Sequence, residues 1–406
     1  MILARALHPR HRIEIEPPAL ARALAACARP RPRAVEALES LACPRGEVIA
    51  ALSVRSAFDL LLTALALPPQ SEVILSGWTI PDMARIVRAH GHVPVPLDCD
   101  PRTLAPDPEA LRAAISPRTR VAVIAQLFGA ALDLAPFARV CRAHGVILVD
   151  DDAQGFTGLP RLAGSPDADV VFHSFGSIKT ATALGGATAR VRDPSLRARM
   201  RTLMARWPEQ PTGRYARKLG LYLGLAGLRD PARYGAFASA VARADADLDA
   251  VITGTARGFP ANTPEALLRA IRWRPCGALA ETLTEALAGF DAARLERRRA
   301  SGERMRARLS GVELLGGEMP ARTHWLFAVL VDRPDALVET LRREGFDGAR
   351  GTSTIAAIPA APERPEARAA TCEAWPARMV FLPVYPEIPE ADRDRMANLV
   401  RAHAER

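Results

Sequence analysis

Between Glu47 and Val191 short, almost uninterrupted apolar runs alternate with stretches in which apolar residues recur every three or four positions. The runs are Val48–Val54, Val73–Leu75, Val93–Leu97, Val121–Ala125, Val146–Asp150 and Asp169–His173; the helical stretches are Ser56–Leu65, Pro81–His90, Pro108–Ala114 and Leu134–His144. Runs apolar at every position suit strands buried on both faces, and intervening helices supply the crossovers that parallel strands need. The pattern therefore predicts an α/β fold: a mostly parallel sheet flanked by helices. Ahead of it, residues 1–40 form a Pro- and Arg-containing segment with one helix near Pro18–Ala26. From Ser195 to Ala256 the pattern turns helical, closing a large domain of residues 41–256.

A second α/β unit is predicted over 257–406, smaller and C-terminal. It has a long Arg-rich helix at Gly277–Leu309, strands at Trp325–Val331 and Arg378–Leu382, and helices at Pro334–Glu344 and Glu390–Ala404. Residues 357–376, rich in Pro, Ala and Glu, read as a loop. The apolar stretch Leu219–Leu228 is too short to span a bilayer, and it reads as a buried helix or a dimer contact rather than a membrane-surface attachment.

Two strand ends carry chemistry. One run stops at Asp150-Asp151-Asp152-Ala153-Gln154; another leads into Ser174-Phe175-Gly176-Ser177-Ile178-Lys179. Lys179 stands out by composition, because of 54 Lys and Arg residues only Lys179 and Lys218 are lysine, leaving 52 arginines. A chain that uses arginine wherever positive charge suffices keeps a lysine where the proton must be able to leave, since a desolvated lysine becomes a neutral amine able to form a Schiff base. A surface lysine with its stem on apolar neighbours is the bland alternative. A carboxylate at one strand end and Ser plus Lys after a later strand are what pyridoxal 5'-phosphate needs.

The stretch Val149-Asp150-Asp151-Asp152-Ala153-Gln154 resembles the (I/V)-E-D-A-A-Q strand end of the DegT/DnrJ/StrS aminotransferases, and Ser174–Lys179 resembles their S-F-x-x-x-K loop. The resemblance runs from about Val48 to Val191 and returns at Leu382-Pro383-Val384-Tyr385-Pro386. It implies a fold type I PLP-transferase acting as a homodimer, which moves an amino group from an amino-acid donor, glutamate in the usual case, to a keto acceptor, commonly a nucleotide-linked ketosugar. It also implies roles: Lys179 holds the cofactor, Asp151 faces the pyridinium nitrogen, Gln154 lies near the phenolic oxygen, and Ser174 binds the phosphate. Ser56 and Ala57 would offer backbone N–H groups to the phosphate at a helix start, with an N-cap role for Ser56 as the alternative. Ile80 takes the place of the stacking aromatic residue, with Trp78 as a nearby substitute. Arg272-Trp273-Arg274 stands where the family has Asn-Tyr-Arg, so Arg272 or Arg274 would reach the partner subunit's phosphate. Asp150 and Asp152 are expected to serve in turns or caps, and His173 and Ser177 in packing and the loop. Another PLP reaction, or a non-catalytic binding homologue, remains open on these residues.

A net charge of +9 would permit nucleic-acid binding, yet the arginines are dispersed and only 5% of residues are aromatic, so no base-stacking platform is expected. Six cysteines without CxxC pairing give no zinc site and fit a reducing cytoplasm. No signal peptide is expected from the Arg-bearing N-terminus.

Overall fold

A computed structural model describes residues 6–256, 259, 263–319, 322–351 and 355–405. The strands, in chain order, are β1 Val48–Ala51, β2 Glu72–Ser76, β3 Trp78–Thr79, β4 Val93–Leu97, β5 Thr119–Ala125, β6 Ile147–Asp151, β7 Val170–Ser174, β8 Ala187–Val191, β9 Leu314–Leu315, β10 Ala328–Leu330, β11 Ala356–Ala357 and β12 Met379–Phe381. Seven of them form one sheet in the order β1-β8-β7-β6-β5-β2-β4. β4, β2, β5, β6 and β7 pair in parallel, and β8 runs antiparallel to both β7 and β1. The fold is thus α/β with a mostly parallel sheet, as the apolar runs predicted. Its two faces are filled by separate apolar clusters, one around Phe58, Leu61, Val123 and Phe172, the other around Ile74, Val95, Ile124 and Leu148.

This topology aligns chemistry at one edge. The C-terminal ends of β1, β6 and β7 and the start of β8 lie side by side, the place where open α/β sheets bind ligands. A small sheet, β12-β10-β9, is antiparallel and packs with the helices Ala292–Arg308, Pro334–Arg343 and Glu390–Ala404 around Met305, Leu337, Val380 and Met396.

Several elements depart from their predicted bounds. The helix predicted over Gly277–Leu309 is two helices, Gly277–Ala288 and Ala292–Arg308, broken at residues 289–291; the Asp291 side chain caps the second by accepting from the Arg294 N–H at 2.9 Å. Residues 357–376 are not all loop: Ala370–Arg378 is helical despite Pro376, and β11 pairs with β3. The first run stops at Ala51, and the helix begins at Val54 rather than Ser56 because Ser53 supplies the N-cap. A second helix, Ala34–Ala42, follows Pro17–Ala26. The domain boundary expected after Ala256 falls at residues 257 and 258, outside the described set.

The N-terminal segment is a strap. The Leu7 N–H donates to the Pro231 carbonyl at 2.8 Å, and Arg10 grips buried Asp347 at 2.7 and 2.9 Å while the Tyr234 hydroxyl donates to the same carboxylate at 2.6 Å. It ties the helical segment to the C-terminal unit. In the helix Thr212–Leu225, Tyr215, Leu219 and Tyr222 are buried, and the helix packs on Pro17–Ala26 and Gly277–Ala288. The apolar stretch is therefore partly a core contact, but Leu221 remains 51% exposed and Leu223 37%. Among the described residues no helix is long and apolar enough to cross a membrane.

Candidate active site

At the shared strand edge lies a cavity of about 740 Å³ whose wall includes Ser53, Val54 and Arg55 after β1, Asp151 at the end of β6 and Gln154 beyond it, Ser174 at the end of β7 and Gly176 through Lys179 beyond it, and Gly185 and Gly186 before β8. Gly186 adopts φ +86° and its N–H donates to the Leu52 carbonyl at 3.0 Å. A side chain there would meet Leu283 at 2.9 Å as well as an unfavourable backbone conformation.

Lys179 is held by a tight loop. Its N–H donates to the Gly176 carbonyl at 3.0 Å, the Trp325 indole N–H donates to the Ile178 carbonyl at 2.9 Å, and buried Arg298 donates to the Thr180 hydroxyl at 3.1 Å. The Lys179 Nζ stands 4.1 Å from the centre of the Trp325 ring, within cation–π range. Burial lowers its pKa from the ordinary 10.5 to about 7, with the Asp151 charge opposing the fall and the Arg55 charge adding to it. Asp151 is pushed the other way, to about 6, by burial, with Lys179 opposing. Carboxylate and amine are thus electrostatic neighbours facing one space.

The three consecutive aspartates separate as strand alternation requires. Asp151 lines the cavity, whereas Asp150 and Asp152 are fully buried elsewhere. Asp150 accepts from the Gln126 side chain at 3.0 Å, and burial raises its pKa to about 7. Asp152 accepts from Arg161 at 2.6 Å and contacts the His173 ring nitrogen at 3.0 Å. Neither serves simply in a turn or cap: both are buried polar anchors beneath the strand end, and His173 belongs to that anchor. Gln154 accepts from the Phe128 N–H at 2.7 Å through its side-chain oxygen, which fixes the amide beside Asp151.

The anion-binding end differs in register from expectation. The Ser56 N–H donates to Ser53 Oγ, the Ser56 hydroxyl donates to the Ile271 carbonyl at 2.7 Å, and the Ala57 N–H donates to the Ser53 carbonyl. Both N–H groups are consumed by the helix itself, and neither Ser56 nor Ala57 is on the cavity wall. The residues that reach it are Ser53, the cap, and Val54 and Arg55 in the first turn, where N–H groups have no helical partner. Ile80 lines the cavity at the start of the helix Pro81–Ala89, while Trp78 points away and packs on Trp375 at 5.3 Å between ring centres. Of the two, only Ile80 is placed to cover a ring.

Arg272 is not on the cavity wall either. It makes a two-pronged pair with buried Asp59 at 2.9 and 3.0 Å, and His90 meets the same carboxylate at 2.8 Å; together they hold the Asp59 pKa down against burial. Arg274 donates to the Trp207 carbonyl at 2.9 Å. Arg272→Ala should therefore cost about 1–3 kcal/mol of stability, the range for leaving a buried charged group short of a partner. The low end applies because the guanidinium is partly exposed and His90 remains. Cofactor affinity should hardly change; a large loss of affinity with an unaltered melting temperature would contradict the assignment.

Sequence reasoning missed Trp325, Arg298 and Arg55. Trp325 and Arg298 sit more than a hundred residues beyond the lysine loop, and no local pattern marks them. Arg55 lies between the predicted strand and helix; its Nε donates to Asp82 at 2.6 Å, and from the cavity wall its charge helps lower the Lys179 pKa.

Residues 36–226 match the model of the DegT/DnrJ/EryC1/StrS aminotransferase family. Over that stretch the chain is similar to this family. Within the family, GDP-perosamine synthase of Caulobacter vibrioides is 33% identical over 175 residues, 43% of this chain and 47% of that protein. The L-glutamine:2-deoxy-scyllo-inosose aminotransferase of Streptomyces kanamyceticus is 36% identical over 161 residues, 39% of this chain and 37% of that protein. The chain thus spans less than half the length of the curated relatives it matches. The fold likeness is longer: the aminotransferase TlmJ from Streptoalloteichus hindustanus superposes with a TM-score of 0.67 over 99% of this chain and 98% of its own, at 20% identity. That places the chain in the fold type I architecture.

The family's cofactor is pyridoxal phosphate, and the donor set fits it: an amine, a carboxylate, a hydroxyl and first-turn N–H groups converge on one cavity. Because the Lys179 amine is lowered to about 7 and only the neutral amine attacks an aldehyde, cofactor capture by the apo-protein should speed up as pH rises through about 7 and level off above it. Stopped-flow reconstitution across the pH range checks this; a midpoint close to 10 would contradict it.

Proposed function

We propose that the protein is a PLP-dependent aminotransferase that takes an amino group from an amino acid, glutamate or its amide, and delivers it to a keto substrate of the ketosugar kind. The observation that carries the reading is the placement of Lys179 Nζ against Trp325, with Asp151 as its charged neighbour, in one cavity with the helix start at Ser53–Arg55. Relatives at 33% and 36% identity, named for amino-sugar and aminocyclitol chemistry, support the reaction class. When bound, the cofactor supplies an electron sink for the carbanion left by removing a Cα proton.

The chain's own residues divide the remaining work. Asp151 would hold the ring nitrogen, Gln154 the phenolic oxygen, Ile80 one ring face, and Ser174 with the Val54 and Arg55 N–H groups the phosphate. Lys179 Nζ would accept the proton from the donor's Cα and return it two atoms away, on the cofactor side of the transferred nitrogen, a role suited to an amine whose pKa lies near the working pH. Trp325 and the wall around it keep water from that proton. The six free cysteines fit a reducing cytoplasm, where we place the protein, as a homodimer.

The test is spectroscopic. Purified protein given pyridoxal phosphate should develop a visible band that L-glutamate or L-glutamine abolishes and a ketosugar acceptor restores. A band indifferent to amino donors would reject amino transfer, and the lack of any band would reject the cofactor.

A further inference from the structure

The cavity continues past Lys179 into a wall built by the helices Thr212–Leu225, Pro231–Arg243 and Leu248–Ala256 and the turn between the first two. Its volume of about 740 Å³ lies in the upper part of the roughly 300–1,000 Å³ typical of small-molecule sites, room for a second ligand beside a cofactor. Two features of this outer wall stand together. One is apolar: Leu221, Leu225, Leu228, Phe237, Val251 and Ile252 all line it. The other is a cluster of cations, Arg214, Arg217 and Lys218.

The cluster is unusual in this chain because the other arginines on the wall are matched by acids. Arg10 pairs with Asp347 and Asp249, Arg55 with Asp82 and Arg229 with Glu16. Among the described residues Arg214, Arg217 and Lys218 have no ion pair. They sit at positions i, i+3 and i+4 of one helix, where side chains neighbour one another. The charged neighbour that Lys218 feels is Arg214, and with burial it lowers the amine's pKa to about 8. Among the described residues Asp151 is the one carboxylate on the cavity wall, so nothing on the wall near these cations neutralises them. The two lysines of a chain holding 52 arginines both face this cavity.

Along the same helix face the cations give way, one turn later, to Leu221, Tyr222 and Leu225. Tyr222 hydrogen-bonds Ser177 of the lysine loop, which joins this wall to the reacting centre. A nucleotide carrier would need polar partners for its base and ribose beyond the anion site. The stretch of wall formed by Leu221, Leu225, Leu228 and Phe237 offers hydrocarbon instead, and burying a polar group against it without a partner is costly.

We propose that the keto substrate is amphipathic: its anionic group rests on Arg214, Arg217 and Lys218, and beyond that group it carries an apolar chain or ring, seated on Leu221, Leu225, Leu228 and Phe237, in place of a nucleotide. The word substrate rests on the aminotransferase reading; the binding preference does not. The anion is a phosphate ester or a carboxylate, and the probes separate the two.

Isothermal titration of the PLP-loaded protein with decyl phosphate, decanoate, decanol and uridine diphosphate, each below its micellar range, tests the proposal. One of the two alkyl anions should bind at least about tenfold more tightly than decanol and than uridine diphosphate, and the tighter of the pair identifies the anion. Arg214→Gln/Lys218→Gln should weaken that alkyl anion about 10- to 100-fold, the scale of one to two lost charged contacts. Leu225→Ser/Phe237→Ser should weaken it similarly while leaving inorganic phosphate binding unchanged. Both double variants should keep the visible cofactor band and its response to amino donors, which reports folding and the reaction separately. Tighter binding of uridine diphosphate than of either alkyl anion, or alkyl-anion binding unmoved in both double variants, would overturn the proposal. A band that ignores amino donors, with the binding preference intact, would overturn the aminotransferase reading alone.

Discussion

Lys179→Ala protein should show no visible band on addition of pyridoxal phosphate and should lose amino transfer by about 10⁴-fold, the upper end for removing a positioned proton-transfer group, since the covalent hold on the cofactor goes with it. The expectation follows from position more than from residue type. Lys179 combines a pKa lowered to about 7, a carboxylate neighbour in Asp151 and an aromatic ring 4.1 Å from its nitrogen. Lys218 shares the cavity wall but has Arg214 as its charged neighbour, so Lys218→Ala should keep the band. Borohydride reduction followed by peptide mapping provides the check: label on a peptide containing Lys218 rather than Lys179 would reverse the assignment. Lys179→Arg should fail as fully as Lys179→Ala, because a guanidinium cannot give up its proton.

Replacing Asp151 by Asn should lower turnover by about 10²–10³-fold, as for other losses of one preorganised charge-stabilising group. The amide preserves shape and removes the charge that would keep the ring nitrogen protonated. Asp150→Asn should stay within a few-fold of the parent. Asp150 faces away from the cavity, its side chain accepts from the Gln126 amide at 3.0 Å, and burial raises its pKa to about 7, so its surroundings already favour a neutral side chain. Steady-state rates for the pair decide the question. A dead Asp150→Asn beside an active Asp151→Asn would move the role by one residue and turn the strand end over.

The sign of the pH effect at this strand end can be stated from the same shifts. A carboxyl whose pKa is raised on folding binds its proton more tightly in the folded state, so it contributes stability below its unfolded pKa and loses it as pH rises through the folded value. For Asp150 and Asp151 the folded values are about 7 and about 6. Lys179, with its pKa lowered from 10.5 to about 7, acts in the neutral-to-alkaline window instead: folding disfavours its charged form, so its stability contribution grows as pH rises from about 7 towards the unfolded value. At this strand end stability therefore falls as pH rises from the ordinary carboxylate value of 3.8 to about 7 and rises again above that.

Much of this was legible in the chain itself. Apolar runs without alternation could only be strands covered on both faces, and their spacing by helical periods dictated parallel pairing; β4 at Val93–Leu97 and the helices Pro108–Ala114 and Glu390–Ala404 fall on the predicted residues. The contrast of two lysines with 52 arginines, and the position of Asp151 at a strand end, depend on residue chemistry and a two-residue period, both local properties. Strand alternation separates Asp151 from Asp150 and Asp152, and the family resemblance is what picked Asp151 to face the cofactor.

What the tertiary structure decided is everything that depends on which distant segments meet. Whether a helix's first N–H groups face a ligand depends on where the cap falls, and Ser53 rather than Ser56 takes that place because the preceding strand ends at Ala51. Arg272 was read as reaching outward, but buried Asp59, more than two hundred residues earlier, offers it a two-pronged partner within the chain. Trp78 was a candidate for the cofactor face until pairing of β3 with β11 turned its ring towards Trp375. Trp325 on Lys179, and the cationic and apolar wall raised by residues 212–256, arise only when helices far apart in sequence close over the sheet edge. Periodicity reports which face of an element is buried, but not against what, because that partner is chosen by packing of the whole chain.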